Sequence, residues 1–119
     1  MPALTDIARL KRLAELFALA LKLDPQKTPD RHQMAVTCLM EHGLSTRQAE
    51  QFLDTALTLL DRSLLRSTAQ AIQDVAVSFR SREHGFVLSQ IQAILETGDV
   101  GEQHQSFYDE CYAALYHAS

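Results

Sequence analysis

The chain is poor in the residues that mark turn-rich or cross-linked proteins: 119 positions hold four glycines, three prolines and two cysteines. So few helix breakers, beside an apolar fraction of 46%, argue against disorder and for a packed helical chain. Cys38 and Cys111 both fall inside apolar helical patterns, where they read as small buried hydrophobes of a reducing compartment. No apolar run reaches the ~20 residues a helix needs to span a bilayer, so no direct membrane insertion is expected. Leu13 to Leu23, after Arg9, Lys11 and Arg12, imitates the apolar part of a secretion signal, but Glu15 and Lys22 interrupt it. A cytoplasmic location is the expectation.

Positive charge is scarce in one place. From Glu96 onward there are Glu96, Asp99, Glu102, Asp109 and Glu110 with no Lys or Arg, whereas Arg62, Arg66, Arg80 and Arg82 crowd the middle. A net charge of -4 and the lack of a basic stripe leave little to neutralise phosphates, so no nucleic-acid partner is expected. An acidic and a basic face on one molecule suit the steering of a protein partner instead.

What is present is helical periodicity. In Phe86 to Ala114, the residues Phe86, Val87, Ile91, Ile94 and Leu95 form one stripe, a Gly-Asp-Val-Gly turn follows, and Phe107, Cys111 and Leu115 form a second stripe. Gly98 suits a left-handed helix terminus, and Asp99 with Glu102 has the spacing of a capping box. Two helices joined so tightly make an antiparallel hairpin. A weaker counterpart runs from Leu16 to Leu39, and the two superpose in one register, with Ala20 on Ala93, Thr28 on Gly101, Met34 on Phe107 and Cys38 on Cys111. This makes an internal pseudo-repeat an open alternative.

Taken in order, Leu4, Ile7, Leu10, Leu13, Phe17 and Leu21 predict a first helix, apolar nearly all round from Leu16 and therefore central. Asp24-Pro25 stops it. Thr28-Pro29-Asp30 starts a second helix that carries Met34, Cys38 and Leu39 inward and ends at Gly43. Ser45 and Gln48 form a capping box for a third, with Ala49, Phe52, Leu53, Ala56, Leu57 and Leu60 inward. Asp61 to Ser67 reads equally as helix or bend. Ser67 and Gln70 open a fourth helix with Ala69, Ile72, Val75, Ala76 and Phe79 inward, and Ser81 caps the fifth. No segment alternates like a strand. The expectation is an all-α, single-domain bundle of about six helices over residues 1–119.

With its turns at Gly98-Asp99 and Asp24-Pro25, each between helices, the chain resembles the TerB family of tellurite-resistance proteins, whose members repeat a helix, an Asp-Gly turn, a hydrophobe and a new helix once in each half, a fold shared with the N-terminal region of some membrane-anchored DnaJ co-chaperones. The pattern reads Thr97-Gly98-Asp99-Val100 with His104 and Phe107 in one copy, and Asp24-Pro25 with Arg31 in the other; Gly43-Leu44-Ser45 fits as well. The resemblance implies a bacterial, stress-related protein whose acidic turns gather a divalent metal. Here Arg31 and His104 stand where further carboxylates would be, so conventional metal binding is expected to be weak or absent.

Candidate chemistry is thin. A metal could be held by Asp24, Asp99, Glu102 and His104, or a softer one by Cys38 and His42. The plainer assignment makes Asp99 and Glu102 caps, Cys38 core, and His42 and His104 solvated. Val36 to Leu53 imitates a helix-turn-helix with Thr46, Arg47 and Gln48 opening the second helix, but Leu39 stands where close packing wants a small residue. Nothing local pairs Ser or Cys with His and an orienting carboxylate, so no enzyme is expected. The remaining feature is Tyr108, Tyr112 and Tyr116, one helical turn apart and flanked by Asp109 and Glu110. Such a row suits a protein partner or a second copy of the chain.

Overall fold

Six α-helices and no strand make up the described residues of the computed structural model, which are 4–23, 29–64 and 67–117. In order they are α1 (Leu4–Leu21), α2 (Pro29–Met40), α3 (Thr46–Asp61), α4 (Thr68–Ser78), α5 (Ser81–Glu96) and α6 (Glu102–His117). The Asp24-Pro25 stop and the Thr28 cap lie outside the described residues.

Helix α1 is central, as its apolar girth requires. Leu10, Leu13, Leu16, Phe17, Ala18 and Ala20 are all buried, and the helix packs against α2, α3, α4 and α5. Each large side chain of this kind contributes about 1.5–3 kcal/mol of transfer free energy, so α1 is the main source of the driving force for folding. Because α1 packs chiefly on α3 and α4, its pairing with α2 is looser than that of α5 with α6.

Local signals set most helix ends. The Ser45 hydroxyl accepts from the Gln48 amide at 3.2 Å, and the Gln48 side chain accepts from the Ser45 amide at 3.0 Å, so the capping box is complete. Ser67 likewise accepts from the Gln70 amide. Helix α5 begins one residue earlier than Ser81 would place it: Arg80 is the flanking residue, and Glu83 reaches back to its N–H at 3.1 Å. The Glu83 carboxylate also holds Arg9 of α1 at 3.1 Å. Burial alone would raise this carboxyl, but the Arg80 amide and the Arg9 guanidinium outweigh it and keep it below the ordinary range.

In the ambiguous stretch after α3, positions 65 and 66 lie outside the described residues, and 62–64 leave the helix in a turn. The Leu64 amide bonds the Leu59 carbonyl and the Ser63 amide the Leu60 carbonyl, with Ser63 at φ 57°. This is the six-to-one closure of a helix end, with serine in the left-handed position that glycine occupies most easily. Ser63→Gly is therefore expected to stabilise the protein by about 0.5–1 kcal/mol, read as a higher urea midpoint at unchanged slope. A lower midpoint would refute the strain at this residue.

Two apolar residues stand outside the stripes assigned to them. Ala69 is exposed, because α4 buries the arc of Ala71, Ile72, Val75 and Ala76. Phe86 is 43% exposed, because Leu88 joins Val87 and Ile91 on the inner face of α5. The Phe86 ring lies instead 5.4 Å from the His42 ring, whose other neighbour is Phe79 at 5.8 Å.

Helices α1 to α5 carry no basic residue in their last turns. Their terminal carbonyls must find donors elsewhere. At the end of α4 the buried His84 takes that place: its Nε2 lies 3.0 Å from the Ala76 carbonyl and 2.9 Å from that of Phe79, and on its other side Nδ1 lies 3.0 Å from the Leu115 carbonyl of α6. Carbonyls only accept, so a ring N–H that faces them is the donor.

Candidate functional site

The turn between α5 and α6 is built around a guanidinium. Arg31, in the first turn of α2, is 2% exposed, and its Nη2 donates to the Leu95 carbonyl at 2.8 Å and to the Asp99 carbonyl. A cation at a helix start is unfavourable, but this one sits on the end of α5, where the partial charge is negative. Gly98 is held at φ +147°, a conformation that favours glycine, and a side chain there would come into contact with the Arg31 guanidinium at 3.4 Å.

This arrangement redefines the residues proposed for metal. Asp99 and Glu102 are exposed, and Asp99 contributes its backbone carbonyl to Arg31. The cap of α6 is formed not by Asp99 with Glu102 but two residues later. Gly101 accepts the Gln105 amide, and its own N–H donates to His104 Nδ1 at 2.9 Å. His104 is accordingly buried, at 3% exposed, rather than solvated. The lone pair of that nitrogen is engaged by the backbone and is not available to a cation. Asp24 lies outside the described residues. Among the described residues no three His, Cys, Asp or Glu side chains are grouped to hold a metal ion.

Cys38 and His42 do not converge either. The His42 Nε2 is 2.8 Å from Gln90 Oε1, while Gln90 Nε2 donates to the Cys38 carbonyl at 2.9 Å. Since the amide nitrogen is the donor to the carbonyl, its oxygen is the acceptor, and His42 carries its proton on Nε2. Burial, then the neighbouring Glu41, push the Cys38 thiol up to about 12, and burial, then Glu110, do the same for Cys111. Neither thiol is a nucleophile near neutral pH.

The tyrosines, by contrast, form a surface. Phe107, Cys111 and Leu115 turn inward, which leaves Tyr108, Tyr112 and Tyr116 along the flank of α6. Tyr108 is half-buried, and Tyr112 and Tyr116 are 41% and 56% exposed. Ring centroids of Tyr108 and Tyr112 are 6.2 Å apart; those of Tyr112 and Tyr116 are 4.8 Å apart, with planes within 9°. At the head of this ladder a cleft of about 190 Å³ lies between α5 and α6, lined by Leu95, Glu96, Val100, His104 and Tyr108 among others. Burial and then its neighbours Tyr112, Cys111, Glu96 and Asp109 raise the Tyr108 hydroxyl, so the phenol stays neutral beside acidic groups. Asp109 is exposed and accepts from the Gln105 side chain at 2.9 Å.

The cleft is smaller than the ~300 Å³ at which small-molecule sites begin, and it opens onto an aromatic face instead of a closed chamber. A wider groove of about 650 Å³ between α1 and α3 mixes Lys11 with Glu15 and Asp54 along its rim. Glu96 and the cleft itself carry no signature in the linear chain beyond the acidic run that begins there. Arg31 was legible only as a basic residue at an unexpected place. No helix among the described residues is long and apolar enough to cross a membrane. Comparison with protein families, with curated proteins and with solved structures finds no match for the chain.

Proposed function

We propose that this chain is a non-catalytic protein-interaction module whose binding face is the tyrosine flank of α6. The observation that supports this reading is the stack of Tyr112 on Tyr116, two large amphipathic rings held in parallel at the surface. A buried edge seal would turn rings flat onto the core; rigid exposed tyrosines supply contact area at little cost in side-chain freedom. The inward stripe of Phe107, Cys111 and Leu115 already secures α6, with Tyr108 packed beside it, so the exposed Tyr112 and Tyr116 add little to the core. A stress-related, TerB-like setting rests on the turn pattern of the sequence alone.

Tyr112→Ala is expected to reduce recovery of a partner from a lysate of the native host at least several-fold, while lowering the melting temperature by only about 2–4 °C. Chelator in the same pull-down is expected to change nothing. A variant that loses stability but keeps its partner would refute the binding role, and recovery that depends on the metal would favour a cation-dependent module.

A further inference from the structure

The adaptor reading leaves the chemistry of the partner open, and the α5–α6 face specifies it. We infer that the tyrosine ladder and the cleft at its head accept an arginine-bearing segment of a protein partner.

Three features of the face point the same way. From Glu83 to the last residue the chain has no Lys or Arg, and Glu96, Glu102 and Asp109 are exposed along α5 and α6. The cation at this end of the molecule, Arg31, is enclosed and faces the Leu95 and Asp99 carbonyls. At the head of the ladder an approaching basic side chain therefore meets acid and aromatic rings, while the exposed Arg82 stands at the opposite, N-terminal end of α5.

The cleft then discriminates among cations. Leu95 and Val100 offer apolar wall, Glu96 a carboxylate that also accepts from the Gln92 side chain at 3.0 Å, and Tyr108 its ring, around a space suited to one long side chain. An arginine fits this set: its stem packs on the apolar wall, and its flat guanidinium both forks onto a carboxylate and stacks on an aromatic face. Lysine brings a charge of the same sign but neither the fork nor the plane. Further arginines one helical turn apart would follow the ladder past Tyr112 and Tyr116, whose faces attract cations within about 6 Å.

A second copy of the chain is a poorer occupant of this face. Isologous pairing, the commonest symmetry, would bring this acidic face, with Glu96 and Asp109, against an identical acidic face.

The test uses fluorescence anisotropy with a labelled, alanine-based helical peptide carrying arginine at every fourth position, beside a lysine twin. The arginine peptide is expected to bind, the lysine twin several-fold more weakly. Glu96→Gln, nearly isosteric and so safe for folding, and Tyr112→Ala are each expected to weaken binding roughly tenfold. Glu50→Gln, which removes the same charge from the exposed surface of α3, is expected to leave it unchanged. No binding, equal binding of the lysine twin, or equal loss with Glu50→Gln would overturn the inference, the last by reducing it to net charge. Self-association abolished by Arg80→Glu would also overturn it, by assigning the face to another copy. The adaptor reading is separable: if Tyr112→Ala still releases a partner whose binding ignores Glu96→Gln, that reading stands and the arginine inference falls.

Discussion

Arg31→Met is expected to destabilise the protein by about 3 kcal/mol, or roughly 10 °C in melting temperature for a chain of this size. Methionine keeps the unbranched stem and much of the volume, so the loss reports the polar contacts of the guanidinium, those to Leu95 and Asp99 among them. Two effects oppose one another. Removing a buried charge relieves its desolvation, which is worth several kcal/mol. Charge-assisted bonds of about 1.5–3 kcal/mol each are lost, however, and the Leu95 carbonyl at the end of α5 is left without its donor. The second effect prevails, because the guanidinium already lies on the negative end of a helix and its burial is partly compensated there. Arg31→Lys keeps the charge but not the planar fork, so it is expected to recover less than half of the loss. Chemical denaturation followed by circular dichroism measures both, and hydrogen exchange should place the loosening at residues 95–101. A methionine variant as stable as the parent would show that the guanidinium is only tolerated.

His84→Leu is expected to cost as much, about 3–4 kcal/mol, by the opposite balance of terms. Leucine fits the apolar surroundings and adds hydrophobic burial, but three carbonyls, those of Ala76, Phe79 and Leu115, lose the ring that faces them. Each buried acceptor left without a donor costs about 1–3 kcal/mol, which exceeds what one better-packed side chain returns. His84→Gln retains an amide donor on one side and should fall between leucine and the parent. Exchange of amides near the ends of α4 and α6 should accelerate together in the leucine variant, because one ring serves both helices. If only α4 responds, the bond to Leu115 is not contributing.

Much of the scaffold was legible because its signals are local. The Ser45–Gln48 box and the Ser67 cap lie within four residues of what they satisfy, and the apolar girth of α1 marks it as central without any reference to its neighbours. Phe86 shows the limit: its place on the helix wheel borders the inner arc, and only the packing of α2 and α4 around His42 decides that Leu88 goes in and Phe86 stays out. The polar interior was not legible at all. Arg31, His84, Gln90 and His104 are buried, yet such residues are ordinarily exposed, and nothing nearby in the chain announces the exception. Arg31 and Gln90 meet acceptors 64 and 52 residues away. The tyrosine row was readable as a pattern, since its spacing alone puts three rings on one flank. Its cleft was not, because Glu96 and Tyr108 face each other only once α5 and α6 are docked.

The reach of Arg31 also bears on how the chain matures during translation. At ~5–20 residues per second, on the order of ten seconds separate the synthesis of Arg31 from that of Asp99, whose carbonyl it holds. Through that interval the nascent α2 keeps its guanidinium hydrated, and the apolar surface of α1 stays partly uncovered. The first three helices therefore wait on the last two, and a pause or early stop before position 99 would present the ribosome's surroundings with an unfinished, sticky intermediate.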